Sequence, residues 1–303
     1  MFNKNKKYIL DGGGGQTLLD LGLKPLGALW SATALIDEKY NHLVTKMHQQ
    51  FIDAGSDLIV TNNFSVRKIR LKEFNKVHMF EEALLKAALL AKKAKEDSGK
   101  KDLIIAGSMP SKGIVYSAQK MLDDKEVYEE HFKTAEILNS HVDIFYLDVL
   151  SSISEVRIAF DALREFNKPI LIGAHFIREG VLPSGETVSD LIKISKDINC
   201  CGIIAACTNH EVIKFVLPEL NKQNLPFGFK VNAWKEVPEN NPQDWVYKTT
   251  NPGDMYGSIA DQFTPEVFKD YVLKSSDTGA TLFGGCCEIK PKHIKALKNL
   301  FYW

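Results

Sequence analysis

The residues of this 303-residue chain best equipped for chemistry are its five cysteines, Cys200, Cys201, Cys207, Cys286 and Cys287. An odd count and two adjacent pairs argue against a disulfide framework, so free thiols or metal ligands are expected. Cys207 closes the apolar run Ile203-Ile204-Ala205-Ala206, and Cys286 and Cys287 follow Leu282-Phe283-Gly284-Gly285. If the two runs are strands of one parallel barrel with a single strand between them, all three sulfurs meet at its carboxyl-end face. Three converging thiolates suit zinc, and three protein ligands leave the fourth position open, as in catalytic sites. The competing reading is three ordinary buried cysteines. Cys200 and Cys201 begin the run that Cys207 ends; at about 3.3 Å per residue they lie roughly 20 Å away and are expected to be packing residues.

Asp11 follows another short apolar run and precedes the glycines Gly12 to Gly15. Backbone N–H groups in such a run can approach a ligand closely. Neither the Gly-Lys-Ser/Thr of a phosphate loop nor the dinucleotide spacing follows. Asp11, Gly12 and the neighbouring amides are therefore read as holders of a zwitterionic amino acid, against the alternative of a sharp turn with a surface aspartate. Asp148 lies within Ile144-Phe145-Tyr146-Leu147-Asp148, where a buried carboxylate needs a partner. An incoming ammonium is one candidate and a structural Lys or Arg the other. Trp30 could face a cationic methyl donor through cation–π attraction, or pack under its own loop. The histidines have no metal-binding spacing; His42, His48, His78 and His131 fall in helical patterns, and His175 ends a strand without an evident partner.

The elements that must position these residues alternate from end to end. Strand-like runs at 8–11, 57–62, 102–108, 142–150, 169–176, 201–207, 227–233 and 280–286 are nearly continuous in apolar residues, as strands buried on both faces are. Amphipathic helical stretches lie between them at 42–54, 80–95, 124–139, 154–166, 188–196, 209–222, 264–275 and 292–300. Eight such units predict a (β/α)8 barrel, with residues 1–303 forming one catalytic domain. A doubly wound open sheet is the alternative. Helix-to-strand connections are short, whereas several strand-to-helix connections (12–41, 63–78, 109–123, 177–187 and 234–263) are long and fall on the face where barrel enzymes build sites. The loop from Trp234 to Phe263, rich in Asn and Pro, is a candidate lid.

Composition narrows the partners. Lys plus Arg and Asp plus Glu are both 38, giving a net charge of zero and no basic stripe for a polyanion, so nucleic acid is not an expected partner. Residues 1–10 carry lysines but no apolar run, and no stretch of about 18 apolar residues could span a bilayer. A cytoplasmic protein, monomeric or a small homo-oligomer, acting on small molecules is expected.

Taken together, the motifs resemble those of the homocysteine S-methyltransferases, whose donors include betaine, S-methylmethionine and S-adenosylmethionine. Asp11-Gly12-Gly13 resembles the opening motif, Leu29-Trp30-Ser31 the Trp-Ser segment, and Ala54-Gly55-Ser56-Asp57 through Thr61-Asn62 the Ala-Gly-Ala-Asp…Thr-Asn segment. Ser184-Gly185-Glu186 matches a further one, and Gly284-Gly285-Cys286-Cys287 with Pro291 and His293-Ile294 the most specific. The resemblance implies a (β/α)8 barrel in which Cys207, Cys286 and Cys287 bind Zn2+ and homocysteine supplies the fourth ligand. It further implies that Asp11 and Asp148 hold the acceptor's amino group while Trp30 and Asn62 face the donor. A length near 300 residues, without cobalamin or folate modules, is similar to the S-methylmethionine- or S-adenosylmethionine-dependent members, with betaine a further candidate. Three positions depart from the pattern: Ala206 replaces an Asn, Asp148 a Glu, and Gly173 a frequent Ser. The rival readings are a non-catalytic zinc- or thiol-binding barrel and a metal-free barrel aldolase or lyase.

Overall fold

The structure is a computed structural model, and it describes residues 1–303 apart from 121, 197, 240–252, 299, 302 and 303. Eight strands form one sheet: β1 (Tyr8–Ile9), β2 (Leu58–Val60), β3 (Ile104–Pro110), β4 (Ile144–Leu150), β5 (Ile170–Ala174), β6 (Cys200–Asn209), β7 (Phe227–Asn232) and β8 (Leu282–Gly285). The hydrogen-bonded order is β1-β8-β7-β6-β5-β4-β3-β2, and every pairing is parallel. The eighth seam is closed by little ladder. Leu10 bridges Leu58, Asp57 N–H donates to the Ile9 carbonyl at 2.7 Å, and the Asp57 carboxylate accepts from Ile9 N–H at 2.8 Å. The expected (β/α)8 barrel is the fold found.

Eight helices follow the strands: α1 (Asn41–Ala54), α2 (Phe80–Ser98), α3 (Asp124–Leu138), α4 (Ile153–Leu163), α5 (Val188–Ser195), α6 (His210–Leu220), α7 (Pro265–Ser276) and α8 (Pro291–Leu297). Their starts are written locally. Asp123 with Glu126 and Thr187 with Asp190 form reciprocal caps, and Pro265 and Pro291 open their helices. The connection at 12–41, read as a loop, also holds short helical pieces at Gly14–Asp20, Gly27–Ala32 and Thr33–Ile36. No helix among the described residues is long and apolar enough to cross a membrane. Of the candidate lid, residues 240–252 lie outside the described residues; Trp234 bridges Ser258 beyond them.

Two apolar layers result from strand alternation. On β6, Ile203 and Ala205 point to the helices and pack with Ile9, Phe145 and Phe283, whereas Ile204 and Ala206 fill the barrel with Leu10, Tyr146 and Leu282. Continued alternation would send Cys207 outward. Instead Ala206 pairs with Lys230 and Thr208 with Val231, so Cys207 is an extra, bulged residue at φ 47° and joins the interior layer. β4 uses the same device, with Asp148 and Val149 (φ 63°) standing between the paired Leu147 and Leu150. Both bulges lie at the carboxyl ends of their strands, where they re-aim side chains into the barrel mouth.

Candidate metal and acceptor site

The bulge on β6 and the end of β8 bring three sulfurs together. Cys207 Sγ lies 3.7 Å from Cys287 Sγ, Cys286 Sγ lies 3.9 Å from Cys287 Sγ, and all three atoms fall within 4.8 Å of one another. Tetrahedral zinc with Zn–S bonds of about 2.3 Å requires sulfurs about 3.8 Å apart, so the three form one face of such a site. They are too far apart for disulfides, and all five cysteines are free. Cys200 and Cys201 stand at the start of β6, away from this cluster, and burial pushes both thiols up to about 12.

The donor set itself calls for a cation. Burial alone would raise Cys207, but hydrogen bonds from the other two thiols and from Tyr116 outweigh it and hold Cys207 well below the usual thiol range. Cys286 and Cys287 are held well above that range by the hydrogen bond and charge of Cys207. Three adjacent thiols, two of them buried and Cys286 half-buried, cannot all ionise without a positive partner. A divalent, thiophilic ion would supply that charge, and the residues present fit zinc.

Second neighbours fix Cys207. Its carbonyl accepts from Asn232 Nδ2 at 2.6 Å and faces His175 Nδ1 at 3.1 Å, while His175 Nε2 faces the Pro238 carbonyl at 3.1 Å. His175, left without a partner by sequence reading, therefore stands behind a candidate ligand, and burial keeps its ring below the usual imidazole range. The Tyr116 hydroxyl donates to Cys207 Sγ at 3.2 Å. The segment leading to Tyr116 is gripped from below by buried Arg67, whose Nη1 donates to the carbonyls of Ser111 (3.1 Å) and Gly113 (2.8 Å).

Beside the sulfurs opens a cavity of about 120 Å³. Asp11, Gly12, Trp30, Asn62 and Asp148 all line it together with Cys286 and Cys287, so the residues singled out in the sequence converge. Trp30, at φ 42°, lies against Gly15; a Cβ there would come within 2.2 Å of its indole, so only glycine permits the approach. Phe64 and Tyr116 add two more aromatic side chains to the wall. Asn62 Nδ2 donates to the Ser31 carbonyl at 3.2 Å, tying the Trp30 segment to the end of β2.

Lys230 of β7 was not anticipated. Its ammonium donates to Asp11, whose other carboxylate oxygen accepts from Val60 N–H at 2.8 Å. Burial opposes charge on Lys230, but the charge and hydrogen bond of Asp11 outweigh it and hold the lysine above its ordinary range. With donors on both its oxygens, Asp11 is the carboxylate partner of a charged lysine. Asp148 accepts from Ser108 Oγ at 2.7 Å, and burial raises its carboxyl to about 6 despite that hydrogen bond and the charge of Lys230. Gln16, also lining the cavity, has both side-chain polar atoms buried without a partner among the described residues. Lys230 was legible: a cation inside Phe227-Gly228-Phe229-Lys230-Val231 demands a partner as Asp148 does. Asn232 and Tyr116 gave no such signal, because their partners sit on distant segments.

The family model described as homocysteine S-methyltransferase matches residues 8–301. Homocysteine S-methyltransferase 3 of Arabidopsis thaliana is 25% identical, the match covering 96% of this chain and 89% of that protein. The S-methylmethionine--homocysteine S-methyltransferase BHMT2 of Pongo abelii is 23% identical over 89% of this chain and 71% of its own length. The crystal structure of the homocysteine methyltransferase MmuM from Escherichia coli in its metallated form superimposes with a TM-score of 0.77 at 20% identity, covering 97% of this chain and 96% of that one. The match sets aside the aldolase or lyase reading, since over nearly its whole length this chain belongs to the homocysteine S-methyltransferase family.

Proposed function

We propose that this methyltransferase is zinc-dependent and transfers a methyl group from a small onium compound to homocysteine, giving methionine. The observation that carries the proposal is the Cys207–Cys286–Cys287 cluster, whose spacing matches a tetrahedral face and which borders the cavity holding Asp11 and Asp148. Zinc held there by the three cysteines would favour the thiolate form of an acceptor thiol at neutral pH, and the thiolate is the nucleophile.

The chain's own residues supply position. Asp11 with Lys230, and Asp148 with Ser108, offer fixed charges for a zwitterionic amino acid. The aromatic wall of Trp30, Phe64 and Tyr116 suits the positive charge of an onium group. Asn62 holds the Trp30 segment in place. In the transfer, the acceptor sulfur forms a bond to the methyl carbon. The bond from that carbon to the donor's onium atom breaks, its electron pair stays on the donor, and both products leave with neutral reacting atoms. Holding the two reactants in line supplies much of the rate. S-methylmethionine and S-adenosylmethionine are the preferred donors, and the name of the BHMT2 relative supports the first; betaine is the third candidate. Incubation of the zinc-loaded protein with homocysteine and each donor, followed by quantitation of methionine, tests the reading. Methionine with at least one donor is expected; homocysteine bound but never methylated would leave a non-catalytic thiol-binding barrel instead.

A further inference from the structure

We infer that Lys230 is the acceptor's carboxylate receptor, and that with Asp148 it makes the cavity select a zwitterionic thiol. The inference rests on reading the cavity as the acceptor site of a homocysteine methyltransferase. An ammonium carries three N–H donors. Lys230 Nζ gives one to Asp11, and no other acceptor engages it among the described residues. Asp148 has the complementary surplus: Oδ2 accepts from Ser108 Oγ, and no donor engages Oδ1 among the described residues. Both side chains line the cavity beside Cys286, and their charges interact with each other.

The charges divide the work. Asp11 is committed, with one oxygen on Val60 N–H and the other on Lys230. A ligand ammonium arriving at Asp11 would meet the lysine already there, so the open oxygen of Asp148 is left to receive it. A ligand carboxylate finds in Lys230 a cation with unspent donors, already fixed by its partner. Such a prepared donor loses little freedom on binding. The bland alternative is that Lys230 only neutralises buried Asp11. That role would affect folding and every ligand alike, whereas a receptor acts on the carboxylate alone.

Three thiols separate these cases: homocysteine, 4-mercaptobutyrate (no ammonium) and 3-aminopropanethiol (no carboxylate). Each is titrated calorimetrically into zinc-loaded native protein and into Lys230→Met. A charge-assisted hydrogen bond at a buried site corresponds to roughly 10- to 100-fold in affinity, so native protein is expected to bind 3-aminopropanethiol that much more weakly than homocysteine. Lys230→Met should weaken homocysteine and 4-mercaptobutyrate by a similar factor and bring the homocysteine to 3-aminopropanethiol ratio near one. Equal weakening of all three thiols by the variant would overturn the inference. So would native protein binding 3-aminopropanethiol within about threefold of homocysteine, or binding no homocysteine. If Lys230→Met fails to fold because Asp11 is left unpaired, the double variant Asp11→Asn/Lys230→Met removes both charges, and the native comparison decides alone. Carboxylate selectivity without methionine formation would uphold this inference and sink the proposed function. Methionine formation without that selectivity would do the reverse.

Discussion

Replacing Asn232 by Leu should loosen the candidate metal site, because the Asn232 Nδ2 donates to the Cys207 carbonyl at 2.6 Å and lies 3.9 Å from Cys207 Sγ. Cys207 occupies left-handed backbone at φ 47°, a conformation that costs a non-glycine residue about 1–2 kcal/mol. Its carbonyl is held by two groups, Asn232 Nδ2 at 2.6 Å and the His175 ring at 3.1 Å. The ring is a weak reserve: burial keeps it neutral, and its one N–H is contested by the Pro238 carbonyl, also at 3.1 Å. Losing the Asn232 donor removes a hydrogen bond of about 1 kcal/mol and leaves a buried acceptor underserved, at about 1–3 kcal/mol. That range is comparable to the cost of the left-handed turn, so Cys207 is expected to relax toward ordinary strand geometry, which points its sulfur away. Loss of an outer-shell partner of this kind typically lowers metal affinity about 10- to 100-fold. Competition for zinc against a chromophoric chelator measures the affinity, and urea unfolding the stability. Unchanged zinc affinity in a variant that is nonetheless destabilised would show that Asn232 supports the barrel but does not aim Cys207.

Other consequences follow from the same geometry. Gly173→Ser would place a Cβ 2.4 Å from Tyr146 Cε2 and 2.6 Å from the Leu147 carbonyl, so overpacking should cost about 1–3 kcal/mol in urea unfolding; undiminished stability would contradict this. Asp148, raised to about 6, loses its charge as pH falls through that value, so the KM for homocysteine should climb below about pH 6. Asp148→Asn should abolish that dependence, raising KM roughly 10- to 100-fold; a native KM flat from acid to neutral pH would count against the ammonium role. His48 is buried with neither ring nitrogen partnered among the described residues, and burial lowers it from 6.5 to about 4. Its contribution is therefore fully present above pH 6.5 and is lost as pH falls toward 4, by up to about 3 kcal/mol. His48→Leu should flatten the stability curve between those values, and an unaltered acid limb would show that other groups dominate.

The barrel could be read from alternating apolar runs because burial on both faces leaves a continuous signal; all eight strands and eight helices lie within a few residues of their predicted positions. The first strand is the shortest of the eight, and on its β2 side the Asp57 carboxylate accepts from Ile9 N–H where a longer ladder would pair. Assigning Cys207, Cys286 and Cys287 to one face was legible from strand ends. The means was not: period-two alternation points Cys207 outward, and only a bulge against β7 turns it in. Asp148 drew attention as a charge in an apolar strand, and Lys230 carried the same mark. The sequence gives no clue that Asp11 and Lys230, 219 residues apart, are partners. Asn232 and Tyr116 act through contacts set by loop and bulge geometry, which composition and spacing do not encode.

On the proposed function, zinc held by Cys207, Cys286 and Cys287 is what makes this chain a methyltransferase toward homocysteine. Methionine formation by protein stripped of metal with a chelator, then reloaded with one zinc per chain, tests it most directly. Stripping is expected to abolish product, and reloading to restore it in native protein but not in Cys286→Ser. Undiminished methionine formation by the stripped protein would contradict the zinc dependence.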